Sequence, residues 1–303
     1  MAIDANATRS TLASVRILQP GDEDLLEAFL LPRLESSMFL LSNLRRGGLC
    51  DRGERFQGTY AAAIQGGQIV AVAAHFWNGN IIPQAPEHLT PIVEALIRLP
   101  QRRPVAGLIG PAAQVQEAAQ VLGVNGDSSA VQMDSLEGLY TLELERLVVP
   151  PGLLTGAVHS RRIAPADVPL LTQWRIGYCM EALGSDNTPD LRDRCRREIN
   201  DALESRNMWL VTCKGEPVAC SGFNAVLPEA VQIGGVWTPP ELRRRGYGRC
   251  AVAGSLLDAR AEGVRTAILF TGEDNRPAIR AYSALGFRQI GDYRILLLRE
   301  GIG

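Results

Sequence analysis

The stretch Val236-Trp237-Thr238-Pro239-Pro240-Glu241-Leu242-Arg243-Arg244-Arg245-Gly246-Tyr247-Gly248 decides how this chain is read. Upstream of it, Val231 to Thr238 reads as a strand, interrupted by Gly234-Gly235, the mark of a bulge or a close backbone approach. Pro239-Pro240 ends that strand, because proline cannot donate to a ladder. Downstream, Val252 with Leu256 and Ala253 with Leu257 fall at i,i+4 on one helical face, and Gly263 is placed to stop the helix. The turn between strand and helix is basic and glycine-rich. The first turn of a helix leaves backbone N–H groups unpaired, and glycines at 246 and 248 let that backbone approach an anion without a Cβ in the way. Arg243 to Arg245 and Arg249 add charge-assisted hydrogen bonds. Strand, basic glycine turn and helix together predict a diphosphate site.

Other readings of the turn are open at this point. Gly246-Tyr247-Gly248-Arg249-Cys250-Ala251 also fits the dinucleotide pattern G-x-G-x-x-A. In that fold the glycines follow the strand directly, whereas Pro239 to Arg245 intervene here. The plainest alternative is a solvated arginine cluster beside an ordinary turn.

The chain also carries one pattern twice. Arg16-Ile17-Leu18-Gln19-Pro20-Gly21-Asp22 aligns with Arg162-Ile163-Ala164-Pro165-Ala166-Asp167, an offset of 146 residues with one insertion. Each copy reads as a short strand, a proline-containing turn and an Asp suited to cap a helix. Two β-rich runs around Gly66-Gly67 match two around Lys214-Gly215, with Gly67 and Val70-Ala71 lying 148 residues before Gly215 and Val218-Ala219. Val121-Leu122-Gly123-Val124 matches Ala284-Leu285-Gly286-Phe287. Three matches in the same order argue for a tandem duplication, with domains at 1–150 and 151–303 and a joint near Val149-Pro150-Pro151-Gly152. The first copy has Asn80 to Pro100 where the second has its loop, with three prolines before Ile92 and no glycine. It is expected to keep the fold without the anion site.

Composition narrows the function class. At 303 residues, with 46 % hydrophobic and 21 % charged residues, the chain can build packed cores. A formal net charge of −2 gives no reason to expect a nucleic-acid or membrane-surface partner. The six cysteines show no C-x-x-C spacing and only three histidines accompany them, so they read as reduced, apolar residues and no metal is expected. Met1 to Ser14 is polar, without the apolar run of a signal peptide, and no stretch approaches the roughly 18 apolar residues of a membrane span. A cytoplasmic, soluble protein is the expectation.

Val236 to Gly248 resembles the acetyl-CoA signature of the GNAT superfamily of N-acetyltransferases, whose core pattern is [Q/R]-x-x-G-x-[G/A]. Asn275-Arg276-Pro277-Ala278-Ile279-Arg280-Ala281-Tyr282-Ser283-Ala284-Leu285-Gly286-Phe287 is similar to that family's N-x-x-A-x-x-x-Y-x-x-x-G-F. The resemblance covers roughly residues 205 to 298 and extends more weakly back to Arg161. It implies an α/β architecture of two tandem GNAT-like domains, each a mixed, mostly antiparallel twisted sheet flanked by helices, with an active second half and a degenerate first half. It implies that backbone groups of Val236, Trp237 and Thr238 pair with the pantetheine arm of acetyl-CoA. Arg243, Arg244, Arg245, Gly246, Tyr247, Gly248 and Arg249 would hold the pyrophosphate, and Asn275 and Ala278 would line the cofactor.

The implied chemistry is transfer of an acetyl group to an amine by direct attack, with coenzyme A as product and Tyr282 as the acid that protonates the departing sulfur. Tyr282 has a core reading too, beside Ile279 and Leu285. Some members of the family use a glutamate fourteen residues ahead of the first loop glycine as base; Gln232 stands there and cannot accept a proton at neutral pH. Tyr178 and Glu181, at i,i+3 on an early helix, are candidate acceptor contacts, and Glu181 a candidate base. The acceptor is expected to be a small-molecule amine or a peptide N-terminus. The alternative is a non-catalytic acyl-CoA-binding sensor or regulatory module, with Gln232 marking a lost active site. Ala119 falls where the first half would need its Tyr282, so that half is expected to support structure, shape the acceptor pocket or mediate homodimerisation.

Overall fold

A computed structural model describes residues 12–100, 103–124 and 129–302. Residues 1–11, on which the reading of the extreme N-terminus rests, lie outside them. Two compact units are present, Met1–Gly138 with Gly291–Gly303, and Leu139–Ile290.

The first unit opens with β1 (Ser14–Ile17), α1 (Glu23–Leu30) and α2 (Leu34–Gly47). The strands β2 (Gly58–Gln65), β3 (Gln68–Phe76) and β4 (Asn80–Gln84) follow, then α3 (Leu89–Ile97), β5 (Val105–Pro111) and α4 (Ala112–Val121). β6 (Val131–Glu143) leads into the second unit. There α5 (Pro151–Leu154), β7 (Val158–Arg162), α6 (Val168–Leu183), α7 (Pro189–Glu204), β8 (Met208–Cys213) and β9 (Glu216–Val226) come first. β10 (Ala230–Trp237), α8 (Tyr247–Ala261), β11 (Thr266–Gly272), α9 (Arg276–Ser283) and β12 (Arg288–Ile302) complete the chain.

Both units are mixed, mostly antiparallel sheets flanked by helices. β1-β2-β3-β4 run antiparallel and β4-β5 parallel. β7-β8-β9-β10 run antiparallel and β10-β11 parallel. The copies agree down to single hydrogen bonds. In the first hairpin a register shift falls between Ala63 and Ile64; in the second it falls between Val211 and Thr212, 148 residues on. The turns use two left-handed residues each, Gly66-Gly67 and Lys214-Gly215, as the twist of a tight hairpin requires. At the ends of α4 and α9, Val124 donates to the Ala119 carbonyl and Phe287 to the Tyr282 carbonyl. This puts Ala119 at the position of Tyr282.

One alignment in the sequence needs correcting. Arg16 pairs bidentately with Asp22, whose carboxylate also accepts from the Gln19 amide. Its counterpart is Arg161, which pairs with Asp167 while the Ala164 amide donates to the same carboxylate. Within this motif the offset is therefore 145, with no insertion. Asp22 and Asp167 stand at the heads of α1 and α6, but neither side chain caps its helix. A guanidinium fork binds a carboxylate more strongly than a helix amide does, so the carboxylate turns back towards its strand.

The units are not divided at the proline joint near 150. Tyr293 to Leu297 of β12 pair antiparallel with Pro111 to Gly107 of β5, so the last strand of the chain belongs to the first unit. Leu139 to Glu143 of β6 belong to the second. The second half thus supplies most of its last strand to the first unit, and the first half supplies the end of β6 to the second.

In the first unit, Ala61, Ala63, Ala71 and Ala73 make a flat floor under Leu89, Ile92, Val93 and Leu96 of α3. In the second, Val252, Ala253 and Leu256 of α8 pack on Val231, Ile233 and Leu269, as the i,i+4 spacing predicts, and Gly263 follows the helix in a left-handed conformation. Trp209 is buried against Phe223 and donates to Asp258. The charged run 190–198 is the outer side of α7, which buries Leu191, Cys195 and Ile199. Among the described residues no helix is long and apolar enough to cross a membrane, and no cluster of potential metal ligands occurs.

Candidate functional site

The site is built around β10. Its ladder with β9 shifts register between Gln232 and Ile233 and again between Gly234 and Trp237. The second shift is a bulge that Gly234 and Gly235 make together. Gly235 is left-handed (φ 62°), and a Cβ on Gly234 would fall 2.0 Å from Asn224 Nδ2. The extra residue resets the alternation of side chains along the strand. Val231, Ile233 and Val236 therefore all join the cluster beneath α8, while Trp237 points into the cluster of α6 and α7.

The parallel ladder with β11 runs from Ala230↔Thr266 to Gln232↔Ile268. β10 continues to Trp237 and β11 to Gly272, so beyond Gln232 the two strands part and that edge of β10 has no strand partner. Gln232 is 2 % exposed; its Nε2 donates to the Ile233 carbonyl and its Oε1 is buried without a partner among the described residues.

From Trp237 the chain turns through Pro239-Pro240 into the basic loop. Arg244 (φ 64°) and Gly246 (φ 81°) are both left-handed, and Gly246 stands directly before α8. A Cβ at Gly246 would approach only an Arg249 terminal nitrogen, at 3.8 Å, and one at Gly248 would meet Thr238 Oγ1 at 3.2 Å. Nε of Arg249 is buried with no partner among the described residues. An open backbone at a helix N-terminus, beside an arginine whose Nε lacks a partner, suits an anion. The equivalent link in the first unit, Ala85-Pro86-Glu87-His88, is much shorter and carries no arginine; His88 takes the left-handed position before α3.

α6 walls the other side. Gly177 lets the helix approach the Trp237 ring, since a Cβ there would lie 3.2 Å from it. Tyr178 meets that ring edge-on at 6.3 Å. The Arg243 guanidinium covers Trp237 at 5.0 Å, donates to the Thr238 carbonyl, and forms a bidentate pair with Glu181 at 2.8 Å to each oxygen. Arg175, one turn earlier on α6, donates through Nε to Glu198 of α7 at 2.7 Å and lies over the Tyr178 ring at 5.0 Å. Burial opposes its charge, but attraction to Glu198, with lesser help from Cys179 and Tyr178, holds its pKa above the ordinary arginine value. Burial pushes the neighbouring Cys220 thiol up to about 12, so it stays protonated at neutral pH.

On the third side, Asn275 caps α9 by accepting from the Ala278 amide, with Pro277 in the first turn. Tyr282 is half-buried, packed on the same cluster as Ile279 and Leu285, with its ring 6.0 Å from that of Phe287.

Residues 171–287 match the family model described as Acetyltransferase (GNAT) family. This segment belongs to the GNAT family. No curated protein matches the chain. Among solved structures, a Drosophila protein shares its fold with a TM-score of 0.65 at 14 % identity, over 93 % of this chain and 98 % of that one. A GCN5-related N-acetyltransferase from Sphaerobacter thermophilus aligns with a TM-score of 0.56 at 15 % identity, over 96 % of this chain and 97 % of that one. An acetyltransferase of the GNAT family from Colwellia psychrerythraea gives 0.51 at 13 %, over 94 % and 98 %. At such identities the likeness concerns the fold, and it spans both units.

Within the GNAT segment the expected site residues gather on three elements. Val236 and Trp237 lie at the end of β10, beyond its ladder with β11, and Thr238 follows them. Arg243 to Arg249 form the loop and the first turn of α8. Asn275, Ala278 and Tyr282 lie on or at the head of α9. Tyr178 and Glu181 meet the site through Trp237 and Arg243, and Glu181 is held there by an ion pair. Arg175 sits on the same helix but carries no signal in the sequence. Nothing in its local pattern distinguishes it from the many surface arginines nearby.

Proposed function

We propose that the second unit transfers an acetyl group from acetyl-CoA to the amine of an acceptor, at one site per chain. The observation that carries this reading is the parting of β10 from β11 beside a glycine-arginine loop that opens α8. An unpaired strand edge offers alternating N–H and C=O groups to an extended amide-bearing arm, and the open loop offers backbone N–H groups to a pyrophosphate. Backbone groups of Val236 to Thr238 would hold the arm, residues from Arg243 to Arg249 the diphosphate, and Asn275 and Ala278 the flank. Arg249, with its buried unpartnered Nε, suits an anion best; Arg243 would reach one by letting go of Glu181.

When bound, acetyl-CoA supplies the thioester that the amine attacks. Tyr282 holds a proton on its hydroxyl for the sulfur. Gln232 has no basic group, so the amine must lose its proton to another group or to water. The Cys220 thiol is buried, and that burial favours its protonated form. The first unit, with its short Ala85–His88 link and Ala119 in the tyrosine position, is assigned a structural role.

Titration calorimetry with acetyl-CoA, followed by an acetylation assay over amines, amino acids and peptide N-termini, tests this. One donor site per chain and an acetylated amine are expected. Two donor sites would refute the assignment of the first unit. Binding with no transfer to any amine would favour an acyl-CoA sensor.

A further inference from the structure

We infer that Arg175 selects an acceptor that carries a carboxylate close to its amine, as an α-amino acid does. The inference rests on the donor reading above and names the acceptor class of the same site. Arg175 spends only Nε on protein, in its bond to Glu198. Among the described residues its two terminal nitrogens have no partner, leaving donors in one plane at the spacing that a carboxylate accepts bidentately. They lie beside the β10 bulge: NH1 is 3.7 Å from where a Cβ on Gly235 would be. The bulge is at the head of the unpaired edge of β10, where the reacting end of the donor would lie.

Three further observations fit a ligand-holding role. The side chain is held on two sides, stacked on Tyr178 and paired with Glu198 across α6 and α7. It keeps 26 % of its side-chain surface exposed, so an acceptor can reach it. Glu198 also faces Arg194 at 3.8 Å, so one carboxylate answers two arginines and a single positive charge is left over. The nearby Arg243 is committed to Glu181. One spare charge and one planar fork match a monoanionic carboxylate better than a phosphate dianion.

The test uses the full chain saturated with coenzyme A. Affinity is measured by calorimetry for glycine, alanine, glutamate and phenylalanine, each beside its amide and its decarboxylated amine, with O-phosphoethanolamine as the phosphate arm. Acetylation of the same set is then measured with acetyl-CoA. The acids should bind and react about 30-fold better or more than their neutral partners, the usual effect of removing one member of a half-buried charge pair. Arg175→Met should level the set while coenzyme A affinity is unchanged. Arg175→Lys, which keeps the charge and the contact with Glu198, should restore folding stability without restoring the full preference. Equal use of acids and amides, a preference for the phosphate, or a preference that survives in Arg175→Met would overturn the assignment of Arg175 while leaving the donor reading intact. Absence of coenzyme A binding would overturn the donor reading, and this assignment with it.

Discussion

Replacing Gly246 with alanine should cost donor binding far more than it costs the fold. Gly246 is left-handed (φ 81°, ψ 5°) immediately before α8. A residue with a Cβ in that region is strained by about 1–2 kcal/mol. The added methyl group would meet only an Arg249 nitrogen, at 3.8 Å, which is ordinary contact, so no steric penalty adds to the strain. For a unit of this size the melting temperature should fall by about 2–8 °C. On the donor side, the Cβ would stand where the backbone must come closest to an anion. Losing one charge-assisted hydrogen bond there is worth about 1.5–3 kcal/mol, or about 10- to 150-fold in Kd for acetyl-CoA. Gly246→Asn separates the two effects, because asparagine tolerates the left-handed region: stability should largely return and affinity should not. Scanning calorimetry and acetyl-CoA titration read both quantities on the same samples. A Gly246→Ala protein that melts lower as expected, yet binds acetyl-CoA within about twofold of the wild type, would refute the anion cradle.

Two further changes probe separate parts of the structure. Tyr282→Phe keeps the ring that packs beside Phe287, so the protein should still fold and bind coenzyme A. Turnover should drop about 100-fold or more if the hydroxyl supplies the proton; an unchanged kcat would return Tyr282 to a purely structural role. Asp22→Asn and Asp167→Asn each remove a bidentate arginine pair and a charged acceptor of a backbone amide. Each should lower stability at pH 7 by about 1 kcal/mol, modest because the arginines are half-exposed. The pairing with Arg16 and the Gln19 amide depresses Asp22 to about 2, and the pairing with Arg161 likewise lowers Asp167. A depressed folded-state pKa stabilises above the unfolded value near 4 and is lost as pH falls through the folded one. The deficit of Asp22→Asn should therefore shrink between about pH 4 and pH 2, and a deficit that stays constant to pH 2 would contradict the pairing.

Much of the second unit was legible in the chain because it depends on near neighbours. Gly234-Gly235 announced the bulge, since Gly235 takes the left-handed conformation that favours glycine. Asn275 and Pro277 announced the start of α9. The basic glycine turn announced an anion because its donors are backbone groups at a helix start. The duplication was also legible, but its register was not. Arg161 and Arg162 are adjacent in a strand and point to opposite faces, Arg161 towards Asp167 and Arg162 towards Trp209 and Glu262. Residue identity does not say which of two neighbouring arginines is the counterpart of Arg16; the hydrogen bonds do.

The loop from Arg243 to Gly248 shows where the division lies. The sequence by itself determined that a strand ends there, that a helix begins, and that the turn between them presents backbone and positive charge to an anion. These follow from dihedral preference, missing donors and helix-end electrostatics, which act within a few residues. Tertiary structure decided how the arginines are spent. Glu181 lies far away in sequence and claims Arg243, and Glu198 claims one nitrogen of Arg175; among the described residues the other two nitrogens of Arg175 and the buried Nε of Arg249 have no partner. Charge pairing depends on distances of about 3 Å between elements remote in sequence, and only the packed chain sets those distances.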